Sequence, residues 1–256
     1  MESMAVSIQW YLQTAHRPLC HQLRTTSVGA ISSVSRPLRV PQQARMCSSL
    51  PGRLRHVYWL GGGSGAGKST VARRIAASHG FRFYATDTVR SDHDSRCASE
   101  DHPFLSQFRA MDMDERWVNR PPEVMLETFH WFRGECFGPI VEDLIDMPEQ
   151  PPVIAEGFRL LPRLLQPLLA VPSHAVWLLP TPRFRRAAFA SRGSLWEIAS
   201  KTSNPDKALS NLLERDRLFT ERLRDETRHL RLPVIDVDVA LDEDQLTELV
   251  TESYRL

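Results

Sequence analysis

A glycine-rich run between an apolar segment and an amphipathic segment constrains this chain more than any other feature. The run is Gly62-Gly63-Ser64-Gly65-Ala66-Gly67-Lys68-Ser69, and it fits the pattern G-x-x-x-x-G-K-[ST]. The preceding segment, His56 to Leu60, is rich in β-branched and aromatic residues, which predicts a buried strand. From Thr70 to His79 apolar residues recur at helical spacing, and Gly80 follows where a helix would end. The pattern therefore predicts a strand, a tight loop and a helix.

The residue types in this run suit phosphate binding. Glycines let the backbone curl until successive N–H groups point inward, and the following helix N-terminus adds a partial positive charge. We expect Lys68 to contact the outer phosphates of a nucleotide and the Ser69 hydroxyl to ligate Mg²⁺. Lys68 is one of three lysines in a chain that otherwise uses arginine, which favours a role for its point charge. The predicted nucleotide-binding residues are Gly62, Gly63, Ser64, Gly65, Ala66, Gly67, Lys68, Ser69 and Thr70.

The second predicted strand, Phe81 to Thr86, ends at Asp87. Functional groups gather at the carboxyl ends of the strands in an open parallel sheet, so we expect Asp87 to face the same crevice as the glycine-rich run. A carboxylate there suits a catalytic base that accepts a proton from a substrate hydroxyl, with a turn-starting or helix-capping aspartate as the alternative. The polar residues Asp92-His93-Asp94 predict a solvated turn, with a metal cluster as the alternative.

A third predicted strand ends in a carboxylate as well. The sequence Val153-Ile154-Ala155-Glu156-Gly157 is an apolar strand followed by an acid and a glycine. We predict that Glu156 supports Mg²⁺ or its water molecules beside Ser69. The rival acids, Asp236 and Asp238, follow what should be the last strand of the sheet, so Glu156 is preferred.

Residues from about 99 to 150 predict a helical insertion. After Pro121-Pro122, apolar residues recur at steps of three and four through one helix, which Gly138-Pro139 should kink or break. The candidate anion-binding residues of this insertion are Arg109, Arg116, Arg120 and Arg133. The four cysteines of the chain have no C-x-x-C spacing, which predicts neither a zinc site nor a disulfide framework and favours a reducing compartment.

Residues 1–54 differ in composition from the rest of the chain. Glu2 is the only acid before Arg55 among many arginines, serines and prolines, and we interpret this stretch as a disordered basic segment ahead of one domain over residues 55–256. A dispensable tail, or a start at Met46, is favoured over an organellar transit peptide. We therefore expect a cytoplasmic protein, with an organellar location as the alternative.

The domain that follows is acidic on balance. An acidic surface argues against nucleic acid as a partner. No apolar run approaches the length that spans a membrane, so we expect no membrane association.

From Arg55 to its C-terminus the chain resembles the P-loop kinase superfamily, in the branch of gluconate, shikimate and uridine kinases and chloramphenicol phosphotransferase. The residues that carry the resemblance are Gly62 to Thr70, Asp87 and Ile154-Ala155-Glu156-Gly157. The resemblance implies an α/β three-layer sandwich with a five-stranded parallel sheet in the order 2-3-1-4-5. It also implies ATP and Mg²⁺ as ligands and an acceptor-binding helical insertion after the second strand.

The same resemblance implies an arginine-bearing lid, which we place at about 182–206. Arg186 and Arg192 are its candidate catalytic residues, because guanidinium groups of a lid stabilise the transferring phosphates and the lid excludes water. A long amphipathic helix is predicted from Asn211 to Leu230, and Arg215 within it is a further candidate phosphate contact. The remaining predicted elements are strands over Ala175 to Leu179 and Val234 to Val237 and a helix over Glu243 to Tyr254.

The favoured function is transfer of the γ-phosphate of ATP to a hydroxyl of a small molecule, with Asp87 and Lys68 as catalytic residues. The alternative is a nucleotide-binding regulatory ATPase without a small-molecule acceptor. A GTPase switch is disfavoured because the chain has no N/T-K-x-D motif and no D-x-x-G at switch spacing. Phosphorylation of a nucleic-acid end would need a basic groove that this composition does not indicate. The sequence specifies neither the acceptor nor the oligomeric state.

Overall fold

A computed structural model describes residues 49–97, 100–192 and 194–256, with side chains outside 189–195. The strands of this part of the chain form one parallel sheet in the order β2-β3-β1-β4-β5. They are β1 (Val57–Gly62), β2 (Arg82–Ala85), β3 (Val153–Glu156), β4 (Ala175–Pro180) and β5 (Val234–Val237). The α/β class, the parallel sheet and its order are as predicted.

Helices connect these strands. In chain order they are α1 (Leu50–Arg53), α2 (Lys68–His79), α3 (Arg90–Arg96), α4 (Pro103–Ala110), α5 (Pro122–Thr128), α6 (His130–Arg133), α7 (Gly138–Asp146), α8 (Pro162–Leu165), α9 (Pro182–Arg192), α10 (Ser194–Ala199), α11 (Pro205–Leu230) and α12 (Glu243–Tyr254). Shorter elements are a π-helical turn at Glu115–Asn119 and 3-10 turns at Gln166–Leu168 and Pro172–His174.

The sheet buries both of its faces. One face packs against α2 and α12 in a cluster that includes Leu60, Ile75, Ile154 and Val250, each fully buried. Successive residues of a strand point to opposite faces. The strand residues that lie next to a member of this cluster in the sequence therefore face the other side of the sheet. The fully buried Trp177 is one of them. The described part of the chain is therefore consistent with helices on both faces of the sheet.

Register explains why the carboxyl ends of three strands meet. Glu156 on β3 lies opposite Leu60 on β1 and Ala85 on β2. Thr86 continues the ladder by donating from its backbone N–H to the carbonyl oxygen of Glu156 at 3.0 Å. The ends of β1, β2 and β3 therefore lie at one edge of the sheet, next to the loop between β1 and α2.

The insertion is more broken than its periodicity predicted. One helix, kinked or broken at Gly138-Pro139, was expected. A new helix, α7, does begin at Gly138, but a further break at Phe129 separates α5 from α6. Phe129 has an extended backbone (φ −74°, ψ 112°) and Gly134 a left-handed one (φ 90°). The apolar repeat persists because each short helix buries its own face, as the stacking of Phe132 on Phe219 of α11 at a centroid distance of 3.7 Å illustrates.

Three other expectations are corrected. Helix α11 begins at Pro205 rather than at Asn211, with the Asn204 side chain as its cap. Residues 49–54 belong to the folded part, because they form α1 and bury Leu54, whereas residues 1–48 lie outside the described part. Cys97 and Cys136 were expected to be unpaired, and the insertion joins them as a disulfide.

Candidate functional site

The glycine-rich loop leads from the end of β1 into the first turn of α2. Gly65 and Gly67 have φ angles of 76° and 81°, a left-handed conformation that side chains other than glycine rarely adopt. The ammonium group of Lys68 reaches back across the loop and donates to the carbonyl oxygen of Gly63 at 2.8 Å. Lys68 is buried, and its charge lies inside the curve of the loop. A loop of this shape, followed by a helix N-terminus, favours an anion at its centre.

The end of the loop contacts the end of β3. The hydroxyl of Ser69 donates to Oε1 of Glu156 at 2.9 Å, and Ser69 itself is exposed. Burial raises the pKa of Glu156, while the charge of Lys68 and the hydrogen bond from Ser69 oppose this shift. A hydroxyl and a buried carboxylate side by side are oxygen donors of the kind that Mg²⁺ prefers. Glu156 therefore lies beside Ser69, as the sequence predicted, and their support of Mg²⁺ stays a prediction.

Asp87 lies in the turn that follows β2, two residues after Ala85, and is exposed. Its charge acts on Glu156, where it favours the protonated form. Two residues later, the backbone enters α3 at Val89 with no side-chain cap, so Asp87 does not cap that helix. The structure therefore places Asp87 at the edge that carries Ser69 and Glu156, with its carboxylate open to solvent.

A buried polar network lies behind Asp87. His93, expected in a solvated turn, is instead fully buried in α3 and lies 2.7 Å from Oδ2 of Asp143. Arg159, which is 3% exposed, lies 3.3 Å from Nδ1 of His93 and donates to the carbonyl oxygens of Thr86 and Cys136. This network fixes the backbone next to Asp87. Sequence patterns missed it because its members come from α3, α7 and the segment after β3.

One arginine of α9, Arg185, lies close to the glycine-rich loop. It is 3% exposed and donates to Oγ1 of Thr220, and a Cβ atom added at Gly63 would lie 2.7 Å from that same Oγ1. Arg186 is exposed, and the side chain of Arg192 lies outside the described part. The sequence selected Arg186 and Arg192, whereas the structure places Arg185 one side chain away from the loop.

Arg215 is buried in a different environment from the one predicted. Its guanidinium group stacks over the rings of Trp117 and Phe129 at 5.2 and 4.8 Å and donates to Oδ1 of Asp216 at 3.0 and 2.7 Å. Its Nη1 atom is buried and has no hydrogen-bond partner in the part of the chain that the structure describes. These contacts tie α11 to the insertion, and none of them is with the glycine-rich loop.

The four arginines proposed as anion-binding residues are engaged elsewhere. Arg116 and Arg120 donate to backbone carbonyl oxygens of the insertion, and Arg109 donates to the carbonyl oxygen of Asp94 in α3. Arg133 pairs with Glu127. The arginines that follow β2 and β3 were not selected from the sequence. They are Arg90 and Arg159, whose guanidinium groups lie 5.2 and 5.7 Å from the ring of Trp131. Both follow the carboxyl end of a strand, and this position in the sequence could have identified them as candidates.

Comparisons with known proteins add no family to this geometry. No family model matches the chain, and a search of curated proteins returns no significant match. Among the helices of the described ranges, none is long and apolar enough to cross a membrane.

Proposed function

We propose that this protein is a Mg²⁺-dependent phosphotransferase that moves the γ-phosphate of ATP to a hydroxyl of a small molecule. The observation that carries the proposal is the 2.9 Å hydrogen bond from Ser69 to Glu156 beside the loop that Lys68 spans. A phosphate-binding loop needs a serine and a lysine at the positions of Ser69 and Lys68. Glu156 fits the role of a carboxylate that supports the metal.

Each residue has one task in this proposal. The N–H groups of the loop and the ammonium group of Lys68 bind the phosphates and balance their charge. Ser69 and Glu156 are the residues that would hold Mg²⁺, which neutralises charge on the phosphates when it is bound. Arg185 supplies a further positive charge from the lid and helps to exclude water.

Asp87 is assigned to the acceptor. Its exposed carboxylate orients the acceptor hydroxyl and takes its proton as the hydroxyl oxygen bonds to the γ-phosphorus and the bond to the β-phosphate oxygen breaks. ADP leaves with that bridging oxygen, and the proton on Asp87 is then lost to water. A regulatory ATPase would need no such base, so Asp87 separates the two functions.

The test measures transfer of labelled γ-phosphate from Mg-ATP to pooled nucleosides, sugars and antibiotics. We expect at least one pool to be phosphorylated, and Asp87→Asn to lower that transfer by about two to four orders of magnitude with ATP affinity unchanged. Asp92→Asn is the matched control, because Asp92 is an exposed aspartate of α3, and it should keep full transfer. ATP hydrolysis at a rate that no acceptor pool changes, and that is the same in Asp87→Asn as in the wild type, would favour the regulatory ATPase.

A further inference from the structure

Three side chains that the proposed function does not use come together where the end of α3 meets the insertion. They are Cys97, His102 and Cys136, and one ligand atom from each lies within 4.8 Å of the other two. The Cα atoms of the cysteines are 5.9 Å apart, and their side chains are buried beside Leu105. The cluster joins the end of α3, the start of α4 and the link between α6 and α7.

A disulfide between the two sulfurs does not engage the imidazole of His102. His102 is the residue before α4, but its side chain makes no capping hydrogen bond. The cap comes from Glu135, whose carboxylate accepts from the backbone N–H groups of Phe104 at 3.0 Å and Leu105 at 2.7 Å. Nδ1 of His102 is buried with no hydrogen-bond partner among the described residues, although buried polar atoms are nearly always paired.

The chain around Cys136 is held in place independently of its sulfur. Cys136 has a left-handed backbone (φ 58°), which is uncommon outside glycine and asparagine. Its carbonyl oxygen accepts from Arg159 at 2.7 Å, and the preceding Glu135 is fixed by the helix it caps. The backbone of Cys136 and the start of α4, which His102 precedes, are therefore positioned by contacts that remain when no bond joins the sulfurs.

We propose that Cys97, His102 and Cys136, with both thiols reduced, form a Zn²⁺ site. Two thiolates and an imidazole are the donors that Zn²⁺ prefers, and a water molecule completes the tetrahedron. Binding converts two thiols into thiolates and releases two protons to solvent. Two thiolates balance the charge of the ion, which suits a cluster whose cysteines are 8% and 2% exposed. Metal and disulfide use the same sulfurs and exclude each other.

The experiment uses the full chain, purified with a reductant and without chelator, then desalted after exposure to Zn²⁺. Bound zinc is measured by elemental analysis, and thiols are titrated in denaturant with a chelator. We expect about one zinc per chain, with all four cysteines reactive. Cys97→Ser and Cys136→Ser should retain less than about a tenth of that zinc, while Cys47→Ser, the matched control, retains all of it.

His102→Ala separates a metal site from a disulfide, because it removes a ligand and leaves both thiols. We expect zinc affinity to fall at least about tenfold in this variant. Substitution of Co²⁺ into the reduced wild type should give a thiolate-to-cobalt absorption band, a readout that does not depend on whether the cysteine variants fold. Wild-type protein that binds no zinc and shows no such band, or His102→Ala with unchanged zinc affinity, would overturn the proposal.

Discussion

The hydroxyl of Ser69 donates to Glu156 at 2.9 Å, although 87 residues separate the two in the sequence. The contact follows from the sheet, because β1 and β3 are neighbours and Leu60 lies opposite Glu156. Ser69 is the second residue of α2, which begins only a short loop after β1, so its hydroxyl lies beside the carboxylate. This edge of the sheet therefore presents a hydroxyl, a carboxylate and the buried ammonium of Lys68 within one small region.

Glu156→Gln should weaken nucleotide binding only when Mg²⁺ is present. The amide keeps the shape of the side chain and removes the charge that would support the proposed metal, so we expect an affinity loss of about 10- to 100-fold. Binding measured at two Mg²⁺ concentrations should show partial recovery at the higher one. Glu123→Gln, an exposed control, should match the wild type. Equal ATP affinity for Glu156→Gln and wild type at limiting Mg²⁺ would remove Glu156 from the metal site.

Arg185→Gln should lower phosphoryl transfer far more than Arg186→Gln. Arg185 is buried beside Thr220 next to the loop. In the proposed function it donates to the transferring phosphate, and loss of one such donor costs about 10²- to 10³-fold in turnover. The exposed Arg186 should change turnover by less than about twofold. Thermal melting of both variants separates a loss of fold from a loss of turnover. A larger loss for Arg186→Gln would return the lid role to the residue selected from the sequence.

His130 should make the protein sensitive to acid. Burial, reinforced by the charges of Arg159 and other arginines, lowers the pKa of His130 to about 3. Between that value and the ordinary pKa of 6.5, the unfolded chain binds a proton that the folded chain does not. The free energy of unfolding should therefore fall as pH falls through this window, by up to about 1.4 kcal/mol per pH unit.

His130→Leu removes the titrating group and should flatten this part of the stability curve. The matched control is His229→Leu, because His229 is exposed on α11. The free energy of unfolding of each protein is measured with denaturant at a series of pH values from about 3.5 to about 6.5, below the ordinary pKa of histidine. Parallel curves for wild type and His130→Leu would show that His130 does not couple folding to protonation.

The sequence predicted the sheet and the helices that cover it well. The strand before the glycine-rich run, the strand that ends in Glu156 and the closing helix Glu243–Tyr254 all carry local signals, namely apolar runs, turn residues and caps. Strand order came from the resemblance, because local periodicity does not specify which strands pair. Given that order, the sequence predicts that Glu156 at the end of β3 lies near Ser69, which follows the loop after β1.

The sequence predicted the insertion and the lid less well, for a physical reason. Apolar residues recur every three or four positions both in one continuous helix and in two short helices that follow each other. The break at Phe129 therefore gave no local signal in the sequence. Four arginines of α9 have the same chemistry, and only the packing of α9 against Thr220 selects Arg185. Cys97 and Cys136 are separated by 39 residues, and only the path of the insertion brings them together.

The most direct test of a phosphate-binding loop is the affinity of Mg-ATP for Lys68→Ala, measured by isothermal titration calorimetry. The buried ammonium donates to the carbonyl oxygen of Gly63 across the loop, where it would balance phosphate charge in the proposed function. We therefore expect the folded variant to show an affinity at least about 100-fold weaker than the wild type. Lys201→Ala, an exposed control, should bind as the wild type does. Unchanged Mg-ATP affinity in Lys68→Ala would contradict the assignment of the loop and the phosphotransferase with it.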